Sequence, residues 1–294
     1  MSTEIANRVL AISPSIRVWS GRKYDRDVSN EVAVQKSASL NSGRYNKNLL
    51  PEGADSLKAV QQKAGLIRNE HYRRTLPLYD GVQAIRAEGY FDYAQWWNQQ
   101  EAEYQALVAV FVGEYPTLMA KATAALGPMW KPEDYPQAHE VAEKFGISVN
   151  VFPLPSGTQF EAFVSALGEE VVEGLSANLQ VQQEKMIREA MQEAWQRLYD
   201  AIKKMQEKCV IPAGETGSVF RDTMVENILR LTEVLPTLNL TDDPNLNSMV
   251  DQVRRELAVY SAESLRNVPS CREDAANKAA EIMRTMGAFM GGGR

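Results

Sequence analysis

Apolar residues recur at helical spacing over most of the chain and alternate as a strand would in only two short places. Ile16, Val18 and Trp19 lie between Pro14 and Gly21, and Ile147, Val149 and Val151 alternate with polar residues ahead of Pro153. Each reads as a strand, and the two are expected to pair, because a lone strand leaves its backbone donors and acceptors unmatched. Residues 29–50 show no period, with a turn at Gly43–Lys47 entering an extended piece. A helix is expected from Asp55 to Arg74, with Leu57, Val60, Ala64, Ile67 and His71 on one face, Asp55 as its cap and Pro77 beyond its end. Residues 78–90 form a loop or hairpin that turns at Asp80-Gly81. From Asp92 a stripe of Trp97, Tyr104, Val108, Phe111 and Tyr115 marks a helix; Pro116 either kinks it or starts a new one, and Leu126-Gly127-Pro128 stops the segment. A short helix is expected over Pro132–Lys144.

After Pro155 the pattern is helical throughout. A tract runs from Gly157-Thr158 to about Lys208, with Gly168 and Gly174 as weak points, since glycine costs ~1 kcal/mol against alanine inside a helix. Within it Ile187, Met191, Ala194, Leu198, Ala201 and Met205 recur at 4-3-4-3-4, a packing seam of roughly three heptads. A helix over Glu169–Lys208 is ~60 Å long at ~1.5 Å per residue and needs cover from other helices or from another subunit. Further helices are expected over Thr216–Leu235 (Phe220, Met224, Ile228, Leu231, Leu235), from Asp243-Pro244 to near Pro269 (Val250, Val253, Leu257, Tyr260, Ser264) and over Arg272–Phe289 (Ala275, Ala279, Ile282, Met286). The Gly291–Arg294 tail should fray. The fold class is therefore mainly α: long antiparallel helices in a coiled-coil-like bundle, with a small two-stranded β element in the N-terminal half. Two parts are expected, residues 1–155 with mixed structure and residues 156–294 all helical.

The chain has 294 residues, 44% hydrophobic and 8% aromatic, enough for a large core without disulfides and too apolar for disorder. No run of 18 apolar residues is present and Met1–Leu10 lacks a signal-peptide core, so the expected location is the cytosol, away from membranes. Cys209 and Cys271 then read as reduced thiols, and the Asn239-Leu240-Thr241 sequon as chance.

Charge changes this picture more than composition does. The net charge is −6, yet residues 1–86 hold 14 Lys/Arg against 8 Asp/Glu, net +6, and residues 87–294 hold 18 against 30, net −12. Three groups in the first part mix cations with rings: Arg17, Trp19, Arg22, Lys23 and Tyr24; Arg44, Tyr45 and Lys47; Arg68, His71, Tyr72, Arg73 and Arg74. Single-stranded nucleic acid is held by this mixture, cations on phosphates and rings on bases. The alternative is that these cations pair with the acidic helices.

Catalytic patterns are missing. No Walker loop and no nucleophile elbow occurs. Gly214-Glu215-Thr216-Gly217 reads as a turn with a helix cap. His139 and Glu143 share a helix face as two ligands of a zinc motif would, but Glu140 is followed by no second histidine there, and no metal or cofactor is expected. Asp242-Asp243 reads as a cap, and Trp96, Trp97 and Trp130 as core.

Several stretches together carry a resemblance: Ile16-Arg17-Val18-Trp19-Ser20-Gly21-Arg22-Lys23; Tyr72-Arg73-Arg74-Thr75-Leu76-Pro77-Leu78; Asp134-Tyr135-Pro136 with Lys144-Phe145 and Phe152-Pro153-Leu154-Pro155; Phe220-Arg221-Asp222 through Asn227; and Leu235–Leu240 with Asp242-Asp243-Pro244. Over about residues 10–260 the chain resembles an uncharacterised domain-of-unknown-function family of bacteriophages and mobile elements. Where that family reads Thr-Leu-Pro-Trp, this chain has Leu78. Genes of the family often neighbour a MoxR- or CobS-like AAA+ ATPase and DNA-recombination genes. The resemblance implies a bacterial host cytoplasm and an AAA+ ATPase as partner; the family has no established activity, so no residue role is carried over. The expected function is a non-catalytic, homo-oligomerising accessory or adaptor in phage or element DNA metabolism. The alternatives are a single-stranded nucleic-acid-binding protein and a host-directed anti-defence inhibitor whose acidic half mimics a polyanion.

Overall fold

A computed structural model describes residues 7–155, 157–210 and 221–290. In chain order its elements are β1 (Val9–Arg17), β2 (Arg22–Asp25), α1 (Arg26–Gln35), β3 (Tyr45–Asn48), α2 (Asp55–Arg73), β4 (Leu76–Tyr79), β5 (Val82–Arg86), α3 (Tyr90–Leu126), α4 (Ala138–Glu143), β6 (Gly146–Pro153), α5 (Val164–Leu167), α6 (Glu169–Val210), α7 (Asp222–Leu238), α8 (Pro244–Glu256), α9 (Ala262–Asn267) and α10 (Pro269–Met290). The protein is mainly helical, with one four-stranded sheet ordered β4-β5-β1-β6 and one two-stranded sheet of β2 and β3.

The described residues form two compact units, and neither is contiguous. The larger takes the residues up to Ser13, His71–Tyr93 and those from Asn150 on; the smaller takes Pro14–Glu70 and Ala94–Val149. A single cut at residue 155 therefore does not divide the chain: β1 and the β4–β5 hairpin bring early residues into the unit that holds the long C-terminal helices. In sequence, the segments of the larger unit carry 19 Lys/Arg and 25 Asp/Glu, net −6, and those of the smaller carry 13 of each.

In the larger unit, Val9–Ile12 of β1 pair antiparallel with Arg86–Gln83 of β5, and β5 pairs with β4 across a turn where Gly81 takes φ +71°. The first strand thus starts seven residues before Ile16 and ends ahead of Trp19. Pro14 lies inside the strand, two residues past Ile12 where the ladder to β5 ends, so its missing N–H costs that ladder no bond. The expected strand pair β1–β6 is part of the wider sheet, while the two-stranded sheet comes from Arg22–Asp25 and Tyr45–Asn48.

Helix α6 is the axis of this unit. Gly168, at φ +86°, separates it from α5, whereas Gly174 is carried inside it. Of the seam, Ile187, Met191, Ala194, Leu198 and Met205 are buried and Ala201 is half-buried. Ala190, Trp195, Ile202 and Cys209 are buried beside them, so the apolar face is broader than two positions per heptad. The reason is that α10, α7 and β4 all pack on α6 from within the same unit. Helix α7 begins in the described residues at Asp222 and runs past Leu235 to Leu238 with Pro236 inside it; the expected start at Thr216, Phe220 and the Gly214–Gly217 turn lie outside the described residues, as does the Gly291–Arg294 tail. Asp243 caps α8, accepting from the Asn245 amide, with Pro244 in the first position. The helix then stops at Glu256 instead of continuing towards Pro269, since Ser261 caps a new helix, α9. Helix α10 starts at Pro269 itself and buries Ala275, Ala279, Ile282 and Met286.

In the smaller unit, α3 buries Trp97, Tyr104, Val108, Phe111 and Tyr115, the expected stripe. Helix α1 was not legible as a period: Val32 and Val34 are exposed and only Ser29 and Ala33 are buried. It forms because Asp25 caps it, accepting from the Val28 amide. The helix expected over Pro132–Lys144 is split into a 3-10 turn at Pro132–Asp134 and α4.

Candidate functional site

The basic and aromatic residues singled out in the sequence do not share one unit. Arg73 and Arg74 belong to the larger, and Arg17, Trp19, Arg22, Lys23, Arg44, Tyr45, Lys47 and Arg68 to the smaller. Lys47 is the clearest departure from a phosphate-facing role. Its side chain is 1% exposed, and its ammonium lies 3.1 Å from Asp25, 2.5 Å from Asp134 and 2.7 Å from the Met129 carbonyl. Strand β3 points this side chain inward because register alternates along it, Lys47 being its one buried residue. Burial opposes both charges, but the Val28 amide and Lys47 outweigh it and hold Asp25 below the ordinary carboxylate range. Lys47 and Lys23 do the same for Asp134, and the two carboxylates keep Lys47 above its usual value despite burial.

Other members of the set also have structural partners. Lys23 pairs with Asp134 at 2.9 Å. Trp19 packs edge-on to Tyr115, with ring centroids 5.7 Å apart, and against Phe111 at 6.0 Å. Arg44 sits over the Tyr24 ring at 5.7 Å, and Arg68 donates to the Ile16 carbonyl at 2.6 Å. The Arg17 guanidinium fills the space where a Cβ on Gly146 would stand, 2.7 Å away. Arg22 and Tyr45 are exposed.

In the larger unit His71 is fully buried, its Nδ1 2.8 Å from the Tyr93 hydroxyl. Burial pushes its pKa down to about 4, so the folded protein keeps it neutral, and burial pushes the Tyr93 phenol up. An unfolded histidine binds its proton near 6.5, so this site stabilises the fold fully above 6.5 and loses that contribution as pH falls from 6.5 towards 4. The urea midpoint should drop over that interval, and the drop should be shallower in a His71→Gln variant; equal slopes in the two would remove His71 from the account.

His139 is exposed on α4, and Glu140 is committed to the capping box, accepting from the Gln137 amide at 2.8 Å. Among the described residues no group of three or more His, Cys, Asp or Glu side chains is placed to hold a metal ion. Burial raises the Cys209 thiol to about 11. Asp243 accepts from Trp195 Nε1 at 3.1 Å besides capping α8, and Asp242, at φ +54°, pairs with Arg8 and Arg86.

Two open concavities lie wholly in the larger unit. The first is a groove of about 1010 Å³ along residues 184–196 of α6, closed by β4 and by Phe289 and Met290 of α10. Its floor is apolar: Leu78, Ile187, Met191 and Trp195, with the Trp195 and Phe289 rings stacked at 5.8 Å. Glu184, Glu189 and Glu193 on its rim outnumber Arg188. The second, about 580 Å³, lies between α6, α7 and the end of α2, and gathers Tyr72, Arg73, Arg197, Lys204 and Arg230. Sequence reasoning reached Tyr72 and Arg73 but not Arg197, Lys204 or Arg230. The available signal was spacing: residues 197, 201 and 204 share one helix face, as do 227, 230, 231 and 234.

Among the described residues no helix is long and apolar enough to cross a membrane. Set against known proteins, the chain matches no family model, no curated protein and no solved structure.

Proposed function

We propose that this protein is a non-catalytic accessory or adaptor of phage or mobile-element DNA metabolism, acting through a protein partner that docks in the α6 groove. The observation that carries this reading is the groove itself. It runs for about 18 Å at ~1.5 Å per residue, long enough for three turns of a partner helix, over an apolar floor. Its acidic rim selects a basic amphipathic segment, because unlike charges at a rim set orientation and disfavour wrong partners. The resemblance to a family encoded beside MoxR- or CobS-like ATPases supplies the partner: a basic segment of such an AAA+ ATPase.

The test is co-expression with a MoxR- or CobS-like AAA+ ATPase from the same genome, followed by affinity purification. Phe289 is 43% exposed, so Phe289→Glu should leave the fold intact and place a charge over the groove. Wild type should retain the ATPase and the variant should not. Retention by neither, or equally by both, overturns the reading.

A further inference from the structure

We infer that the pocket between α6, α7 and the end of α2 binds a nucleoside phosphate, free or as a unit of a single strand, with the phosphate on Lys204 and Arg230 and the base on Tyr72. The charge of this pocket runs against its surroundings. Arg73, Arg197, Lys204 and Arg230 line it with one carboxylate, Asp200, in a unit whose segments are net −6. Clustering four like charges costs free energy unless an anion sits among them. The two cations that define the phosphate position are unspent: among the described residues neither Lys204 nor Arg230 makes a hydrogen bond or an ion pair, and both are exposed to solvent.

Arg197 is the fixed wall of the site. Its Nε donates to Glu193 at 2.9 Å and its Nη1 to the Thr75 carbonyl at 2.9 Å, which immobilises the guanidinium and leaves Nη2 for a ligand. A planar donor held in this way meets a phosphate at little entropic cost. Asp200 accepts from Gln196 at 2.8 Å on its own helix and offsets at most one of the four positive charges.

The remainder of the pocket fits a base rather than a bare anion. Tyr72 is half exposed, and its ring is held by His71 with centroids 5.4 Å apart, which makes it a preset stacking platform. Ile228 and Leu231 supply an apolar floor. A volume of about 580 Å³ suits a ligand of nucleotide size, which occupies clefts of roughly 300–1,000 Å³. The site shares no lining residue with the α6 groove, so it stands or falls apart from the adaptor reading.

The experiment is fluorescence anisotropy at low salt with two probes, a mant-labelled nucleoside monophosphate and a fluorescein-labelled 12-mer of thymidylate. Wild type should bind at least one. Binding of the monophosphate alone identifies a nucleotide site; binding of the 12-mer alone, weakening steeply with salt, identifies a strand. Lys204→Glu/Arg230→Glu should weaken the bound probe by more than about tenfold, since charge-assisted hydrogen bonds to phosphate are lost and repulsion replaces them. Tyr72→Ala should weaken it by about fivefold or more through the stacking term. These side chains are exposed, and an unchanged thermal melt verifies that the variants fold. An Arg22→Glu variant, altered in the smaller unit, should bind as wild type does. Failure of wild type to bind either probe, or full binding by the Lys204→Glu/Arg230→Glu variant, overturns the assignment.

Discussion

Leu198→Asp should destabilise the larger unit by about 3–5 kcal/mol and lower its melting temperature by more than about 10 °C. Leu198 is fully buried within one continuous core cluster that runs from Val9 and Leu76 through α6 to Ile282 and Met286. Aspartate there loses the leucine's transfer free energy, roughly 2 kcal/mol, and places a carboxyl with no cation or donor to receive it. The group responds by taking a proton, so the variant should recover part of its stability as pH falls below neutrality, which a simple cavity would not do. Because α10, α7 and β4 cover this face from within the chain, the difference between variant and wild type should not depend on protein concentration. Lys203→Asp, on an exposed position of the same helix, should change stability by less than about 1 kcal/mol. Thermal denaturation at two concentrations and two pH values checks all of this, and a melting temperature for Leu198→Asp equal to wild type would remove α6 from the core.

The sequence made α6 legible because its buried positions from Ile187 to Cys209 are apolar at helical spacing, and packing decides which way such a helix turns. The stripe of α3 was legible for the same reason, with Trp97, Tyr104 and Phe111 too large to be left outside. What stayed hidden is what long-range pairing decides. Val9, Ala11 and Ile12 look like any short apolar run until β5 arrives to pair with them, and β5 lies seventy residues away. Helix α1 has almost no apolar face and depends on one cap. The units are discontinuous for the same reason that β1 was misplaced: the residues that join a unit are chosen by the sheet, not by their neighbours in sequence.

The candidate sites divide along the same line. Tyr72 and Arg73 carried a readable signal, a ring beside a cation, and the structure places both at the cationic pocket. Lys47 carried the same signal beside Tyr45 and has the opposite fate. Two apart on β3, Tyr45 and Lys47 share a strand face, yet Tyr45 at the strand's start is exposed while Lys47 is buried on Asp25 and Asp134. Composition reports that a cation is present. Only the fold reports whether a carboxylate has already taken it.

Lys47→Met should therefore cost stability, not nucleic-acid affinity. The Lys47, Asp25 and Asp134 side chains are 1%, 5% and 7% exposed, and removing the buried cation leaves Asp25 without its ion-pair partner and Asp134 with Lys23 alone. Breaking a buried ion cluster from one side costs about 3–5 kcal/mol. The pH dependence should change with it. In wild type the two carboxylates have folded pKa values below their unfolded 3.8, so their contribution is complete above 3.8 and is lost as pH falls through the lowered values; that of Lys47 is complete below 10.5 and is lost as pH rises through its raised value. In Lys47→Met, Asp25 keeps only the Val28 amide and Asp134 only Lys23 against burial and their mutual repulsion, so their pKa values rise from the wild-type ones, Asp25 the more, and the variant should lose less stability than wild type on acidification. Adding Asp25→Asn and Asp134→Asn should restore much of the loss, because the asparagine at position 25 still caps α1 and no uncompensated charge remains. Urea denaturation at pH 5 and pH 7 reads each of these differences; a Lys47→Met variant as stable as wild type at pH 7, with the same pH slope, would show that the ammonium does not hold this cluster together.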